Sequence, residues 1–246
     1  MLEMARSNGY EMKSRTFTSW VTKGLLANGE PVGRGPDAGV ARFWSEHQLQ
    51  LFLVLLKQWE RVDNELAVLA PLPIGLWLHF GSPYVELPQV KKAMATWSGG
   101  FGKVSARRGR NAARALAEHL GGEDVDPKLR NRLADLIADY APEPAAFDAA
   151  KLEERISDIL SQTSSPKGVS ARGIAHLTET RVWAVRNLDR FDDGAYLAAR
   201  DALHTTLADY PKTLGADPFE VTFQERISNA AVDLLTHLGY VGMRSQ

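Results

Sequence analysis

Apolar residues along this chain recur at helical spacing for most of its length, and the breaks between the runs are rich in glycine and proline. A short helix is expected over Leu2–Ser7, followed by a polar turn at Asn8-Gly9. A second helix is expected from about Ser14 to Leu26, with Gly24 near its end. From about Ala27 to Val40 the run NGEPVGRGPDAGV has turn chemistry throughout, and Val40–Trp44 reads as a short strand leaving it. Ser45 opens Ser-Glu-His-Gln, a serine with glutamine three residues on, which is a capping-box signature. The helix it starts carries Leu49, Phe52, Leu53, Leu56 and Trp59 at 3.6-residue spacing. Leu51, Val54 and Leu55 occupy its other sides, so burial on more than one face is expected.

Further on, LAVLAPLPIGLWLHFG is densely apolar, but Pro71 and Pro73 argue against one helix running through it. Pro88 is placed to start the next helix, and Gly99-Gly100 ends it. Amphipathic stripes follow: Leu129, Leu133, Leu136, Ile137 and Tyr140; then Leu152, Ile156, Ile159 and Leu160; last, Ile227, Ala230, Ala231, Leu234, Leu235 and Leu238. Turn clusters at Gly121-Gly122, Pro142–Pro144, Gln162–Gly168 and Gly215–Pro218 separate them, and QTSSPKG reads as an exposed link. The fold class expected is mainly α, a winged helix-turn-helix followed by an all-helical region. Its parts are a winged unit over 1–65, a helical connector with a basic cluster over 66–122, and an acidic helical domain over 123–246.

Charge sharpens that division. The formal net charge is -1, but residues 1–115 hold 15 Lys and Arg against 9 Asp and Glu, whereas 116–246 hold 14 against 21. A basic first half and an acidic second half place any polyanion contact in the first. There is no cysteine, which removes disulfides, thiolate nucleophiles and cysteine metal sites. The opening MLEMARSNGYEMKSR has no apolar core, so no secretory leader is expected. No apolar run approaches the roughly 20 residues that cross a bilayer. A cytoplasmic, nucleoid-associated location is the expectation.

Helix, turn, helix, an arginine-bearing Gly/Pro loop and a capped helix is the order of a winged helix-turn-helix, whose second helix enters the major groove. Lys13, Ser14, Arg15, Thr16 and Thr18 gather at the start of that second helix, with Lys23 toward its end. Backbone N–H groups and short hydroxyls there can hold phosphate, and Arg or Lys can reach guanine edges. Arg34 lies in the middle of the loop and Arg42 at its return. Lys103, Arg107, Arg108, Arg110 and Arg114, preceded by Lys91 and Lys92, offer secondary phosphate contacts. Trp77, Phe80, Tyr84 and Trp97 between the two clusters are read as core rather than as stacking platforms.

Trp20-Val-Thr-Lys-Gly24-Leu25-Leu26 resembles the aromatic-x3-Gly-Leu-Leu signature closing the recognition helix of MerR-type regulators. Arg42-Phe-Trp44-Ser45, followed by Leu49 and Leu53, is similar to their wing exit and following helix. The resemblance covers about the first 60 residues and implies a winged DNA-binding domain. Trp stands where that family has Tyr, and the GRGPDAG insertion lengthens the wing. Pro71 and Pro73 interrupt the segment where the family has its long pairing helix, so pairing is assigned to later helices. The absence of cysteine excludes the family's thiolate metal sensing.

Catalysis finds little footing. His47, His79, His119, His176, His204 and His237 are scattered without paired ligand spacing. No Walker loop, GxGxxG or GxSxG is present, and Asp189, Asp192 and Asp193 read as helix capping. No enzyme activity, metal or cofactor is expected. The function expected is sequence-specific binding of double-stranded DNA as a homodimeric transcriptional regulator, with repression or silencing as its mode. The acidic half would dimerise, bind a protein partner or bind a small-molecule effector. Two alternatives are an architectural or recombination-directionality factor, and a protein-interaction module without DNA binding.

Overall fold

The computed structural model describes residues 1–33, 40–62, 65–99, 117, 126–140, 149–162, 170–206, 219 and 229–244. Among these the chain is mainly helical, with one two-stranded antiparallel sheet. The order is α1 (Leu2–Ser7), α2 (Ser14–Thr22), β1 (Glu30–Gly33), β2 (Val40–Phe43), α3 (Glu46–Trp59), α4 (Leu66–Leu69), α5 (Pro71–Phe80) and α6 (Leu87–Ser98). Then come α7 (Pro127–Tyr140), α8 (Ala149–Ser161), α9 (Ala171–Arg186), a 3-10 turn (Leu188–Arg190), α10 (Asp193–Thr206) and α11 (Ala230–Arg244). Two compact units divide the chain, Met1–Trp97 with Ala208–Ala231, and Ser98–Leu207 with Val232–Gln246. The boundary expected at residue 65 therefore falls inside the first unit, which keeps α1 to α6 together.

Several elements of the first unit end for identifiable reasons. α2 stops at Thr22, short of the Leu26 expected from sequence, because Gly24 takes φ +76°. Leu25 N then bonds Trp20 O at 2.9 Å and Gly24 N bonds Val21 O at 3.2 Å, a Schellman closure. β1 lies within the stretch read as turn throughout; its residues become a strand by pairing with β2, Glu30 opposite Phe43 and Pro31 opposite Arg42. Pro31, which has no N–H to give, is tolerated in so short a ladder.

The apolar segment is indeed two helices, and the prolines start the second one. Pro71 and Pro73 occupy the first turn of α5, where no backbone donor is required. α5 is buried from Pro71 to His79, as a helix that is apolar all round must be. Trp20, Leu25, Leu51, Phe52, Leu55, Ile74, Trp77 and Met94 build the core of this unit. The core reading of the aromatics holds for Trp77 and Trp97, which are buried, while Phe80 and Tyr84 are half-buried.

In the second unit α7 buries Leu129, Leu133, Leu136, Ile137 and Tyr140, the stripe expected from sequence. α8 buries Leu152 and Ile156 and packs against both α7 and α9. Of the last stripe, Ile227 lies outside the described residues and the other five are buried. Asp192 caps α10, its Oδ1 accepting from Ala195 N at 2.8 Å, as the acidic run suggested. Gly121-Gly122, Pro142–Pro144, Gly215–Pro218 and all of QTSSPKG except Gln162 lie outside the described residues.

α9 and α11 cross closely. A Cβ on Gly239 would lie 2.5 Å from Thr180 Cγ2 and 2.8 Å from Thr180 O, and one on Gly242 would meet the Trp183 ring. Beside this crossing Arg181 is buried, and its Nε donates to Thr236 Oγ1 at 2.9 Å. Burial lowers the guanidinium to about 10, opposed by the charges of Asp233 and Tyr240, so it remains protonated at neutral pH.

Two stability predictions follow from this crossing. Gly239→Ala forces α9 and α11 apart and is expected to cost about 1–3 kcal/mol in urea unfolding. Thr236→Val keeps the shape but withdraws an acceptor from a buried cation, with an expected loss of about 1.5–3 kcal/mol. An unchanged unfolding midpoint for either variant contradicts the packing described.

Candidate nucleic-acid interface

α2 presents a divided surface. Phe17 and Val21 are half-buried and Trp20 fully buried, whereas Ser14, Arg15, Thr18 and Thr22 are exposed. At about 100° per residue those four share one arc of roughly a quarter turn. Thr22 was not singled out from sequence; it follows Thr18 by one helical turn, and its hydroxyl donates to Thr18 O at 2.9 Å. Thr16 is half-buried and lies off the exposed arc, on the flank toward Trp20.

Lys13 is the N-cap of α2 and supplies no side-chain acceptor. Its carbonyl receives Thr16 N at 3.0 Å and Phe17 N at 3.2 Å. The first amides of the helix thus face the exposed Lys13, Ser14 and Arg15 without a side-chain cap. Positive dipole end, cationic side chains and hydroxyls coincide there, a combination that favours an anion.

The buried side of α2 is fixed by aromatic edges. Trp20 packs edge-on against Phe52 and Trp59, with ring centroids 6.0 and 5.4 Å away. Phe17 bridges Trp44 and Phe52 at 5.7 and 6.1 Å. The helix therefore has one orientation on α3 in which its polar arc faces out.

Beyond α2 the turn to the hairpin is held by side chains from several elements. Thr96 of α6 donates to Lys23 O at 2.8 Å, and Gln89 of α6 donates to Leu25 O at 3.1 Å. Gln48 Oε1 accepts from Ala27 N at 2.8 Å, and Trp44 Nε1 donates to Ala27 O at 3.0 Å. Gln48 Nε2 reaches Tyr84 O at 2.8 Å and Gln89 Oε1 at 3.1 Å. Ser45 does cap α3, accepting from Gln48 N at 3.3 Å, but the Gln48 side chain turns inward instead of closing the box.

Arg42 is exposed, and its Nη1 donates to Asn28 O and Gly29 O, each at 2.9 Å. One end of its guanidinium thus ties β2 to the turn; the fork retains further donors. On the other hairpin face Val32 and Phe43 are exposed, 46% and 64%, with Glu30 opposite Phe43. Arg34 lies outside the described residues, as do Lys103, Arg107, Arg108, Arg110 and Arg114. Lys23 and Lys92 are both exposed. Among the described residues no group of three or more His, Asp or Glu is placed to hold a metal, and no helix is long and apolar enough to cross a membrane.

Comparison with family models, curated proteins and solved structures gives no match to this chain.

The Gln48 amide is the joint of this assembly. Gln48→Leu leaves Ala27 N, Tyr84 O and Gln89 Oε1 without their partner, each worth about 1–3 kcal/mol when buried. The expected result is a clear fall in thermal midpoint and loss of the near-ultraviolet signal of the surrounding tryptophans. Retention of both argues against the network.

Proposed function

We propose that the first unit is a winged helix-turn-helix that binds double-stranded DNA sequence-specifically, and that the protein is a transcriptional regulator. The observation that carries this reading is the polar arc of α2. Ser14, Arg15, Thr18 and Thr22 face solvent together while the opposite side of the helix is locked by aromatic packing. In this reading α2 is the recognition helix. Arg15 reads a base edge, Thr18 and Thr22 contact bases or phosphate, and Lys13, Ser14 and the first-turn amides hold the backbone. Thr16 has a supporting part on the flank. The hairpin is the wing, with Arg34 at its loop and Arg42 bracing it against the turn.

A homodimer presenting two α2 helices to half-sites about one helical turn apart supplies specificity that one short helix lacks. The second unit is assigned to that pairing, or to a protein or small-molecule partner. Repression is the regulatory mode proposed, since binding alone can block a promoter. A second reading is favoured by one observation, the exposed Val32 and Phe43 on the hairpin. Such a face suits a protein contact, and a stable protein complex with no DNA affinity would support it.

Duplexes selected from fragmented genomic DNA provide the test. Arg15→Ala is expected to lower affinity for the selected duplex by about 10–100-fold while leaving an unrelated duplex less affected. Log affinity should fall steeply with log salt for the unaltered protein. A flat salt dependence, or an Arg15→Ala protein that binds as tightly as its parent, overturns the proposal.

A further inference from the structure

α6 lies against the C-terminal end of α2, and the closeness of that contact has a consequence for charge. A Cβ on Gly24 would sit 2.5 Å from Ala93 N, 2.5 Å from Gln89 O and 2.6 Å from Lys92 Cβ. Thr96, one helical turn beyond Lys92, bonds the carbonyl of Lys23. The backbone at Lys23, the C-cap of α2, therefore lies close to that at Lys92 of α6, 69 positions away in sequence, and both residues are exposed. Among the described residues neither is bonded to a carboxylate.

Cations carried on such close backbone positions repel one another, and the negative end of α2 relieves that only in part. Two backbone phosphates relieve it, one for each cation, and each contact releases a counterion condensed on the DNA. Lys92 also borders the tight part of the crossing: Gln89 and Ala93 are buried and Lys92 lies at the rim. Its backbone position is consequently fixed relative to α2.

We propose that Lys92 of α6 and Lys23, the C-cap of α2, form a two-lysine clamp on the DNA sugar-phosphate backbone beside the recognition helix. The proposal rests on the DNA-binding reading of α2 and adds a second helix to the contact surface. Its job is positional: the clamp fixes the angle at which α2 meets the groove and carries no sequence information. The two lysines grip the strand at the C-terminal end of α2, while Lys13 and the first-turn amides hold it at the other.

Binding is measured by fluorescence anisotropy across a salt series. The probes are a duplex selected from random-sequence DNA and an unrelated duplex of equal length. Lys92→Gln is expected to weaken both duplexes by the same factor and to reduce the salt slope by about one unit. Lys23→Gln should do likewise, and the double variant should lose about two units. Lys92→Arg keeps the charge and should keep the slope, and the thermal midpoint of Lys92→Gln should match the parent. If Lys92→Gln leaves the slope intact while Arg15→Ala still costs selected-duplex affinity, the clamp is wrong and the DNA reading stands. If Lys92→Gln alters binding but Lys92→Arg fails to restore it, charge is not the cause and the clamp is overturned. If no variant changes binding, Arg15→Ala included, the DNA reading fails and the clamp falls with it.

Discussion

The backbone between Lys23 and Gly29 is the constraint on which the first unit depends. It follows a helix that ends early, and Gly24, Leu25 and Leu26 are buried, so its polar groups have little access to water. Irregular buried backbone is tolerable only when each such group finds a partner. Here the partners are side chains: Thr96 and Gln89 from α6, Gln48 from α3, Trp44 and Arg42 from the hairpin exit. Three separate elements thus converge on seven residues of chain. Removing Gln89 leaves the buried Leu25 carbonyl unmet, which costs more than the bond itself contributes. The positions of α2, α3, α6 and the hairpin follow from this one segment.

Part of this was legible in the sequence. The apolar periods located α3 and the stripes of α7, α8 and α11, because a 3.6-residue repeat records which face is buried, and Pro88 and Gly99-Gly100 marked the ends of α6. Gly24 signalled the end of α2, although the helix stops at Thr22 where a left-handed glycine closes it. Ser45 and Gln48 signalled a cap, and the cap is there. What the spacing did not reveal is that the Gln48 amide has a better use. It bonds to Tyr84 O and Gln89 Oε1, 36 and 41 residues away. β1 was hidden for a related reason. A four-residue strand containing Pro and Gly has no local strand signal and exists by pairing with β2. Likewise Lys92 reads as one more cation before an arginine-rich run until Gly24 is seen pressed against its Cβ.

The second unit has a different logic. Its helices cross where glycine allows backbone approach, and a buried guanidinium is held within that crossing by a threonine hydroxyl. Burying such a charge is costly, and its hydrogen bond fixes how the two helices meet more than it adds to their stability. The hydroxyl of Thr236 can meet Arg181 Nε in only one register of α11 on α9. Among the described residues of 116–246 most acidic side chains are exposed, Glu153, Glu154, Asp158, Asp192, Asp193 and Asp201 among them. Such a surface disfavours a polyanion.

The sequence-specific recognition proposed for the first unit makes a particular demand of it. A short helix reading base edges discriminates only if its side chains arrive at hydrogen-bonding distance without reorganisation. α2 has nine residues and is too short to hold its own shape in water. Its order must come from outside, through Trp20 on Phe52 and Trp59, and through the fastened turn at its C-terminus. Ser14, Thr18 and Thr22 on the outward arc have little rotamer freedom to lose, so the long Arg15 side chain is the main part left to be ordered. In the proposed reading, rigidity in the glutamine network and recognition on the polar arc are two sides of one arrangement. A loosened turn degrades selectivity before it degrades electrostatic affinity, because charge acts across several ångströms and base-edge hydrogen bonds do not.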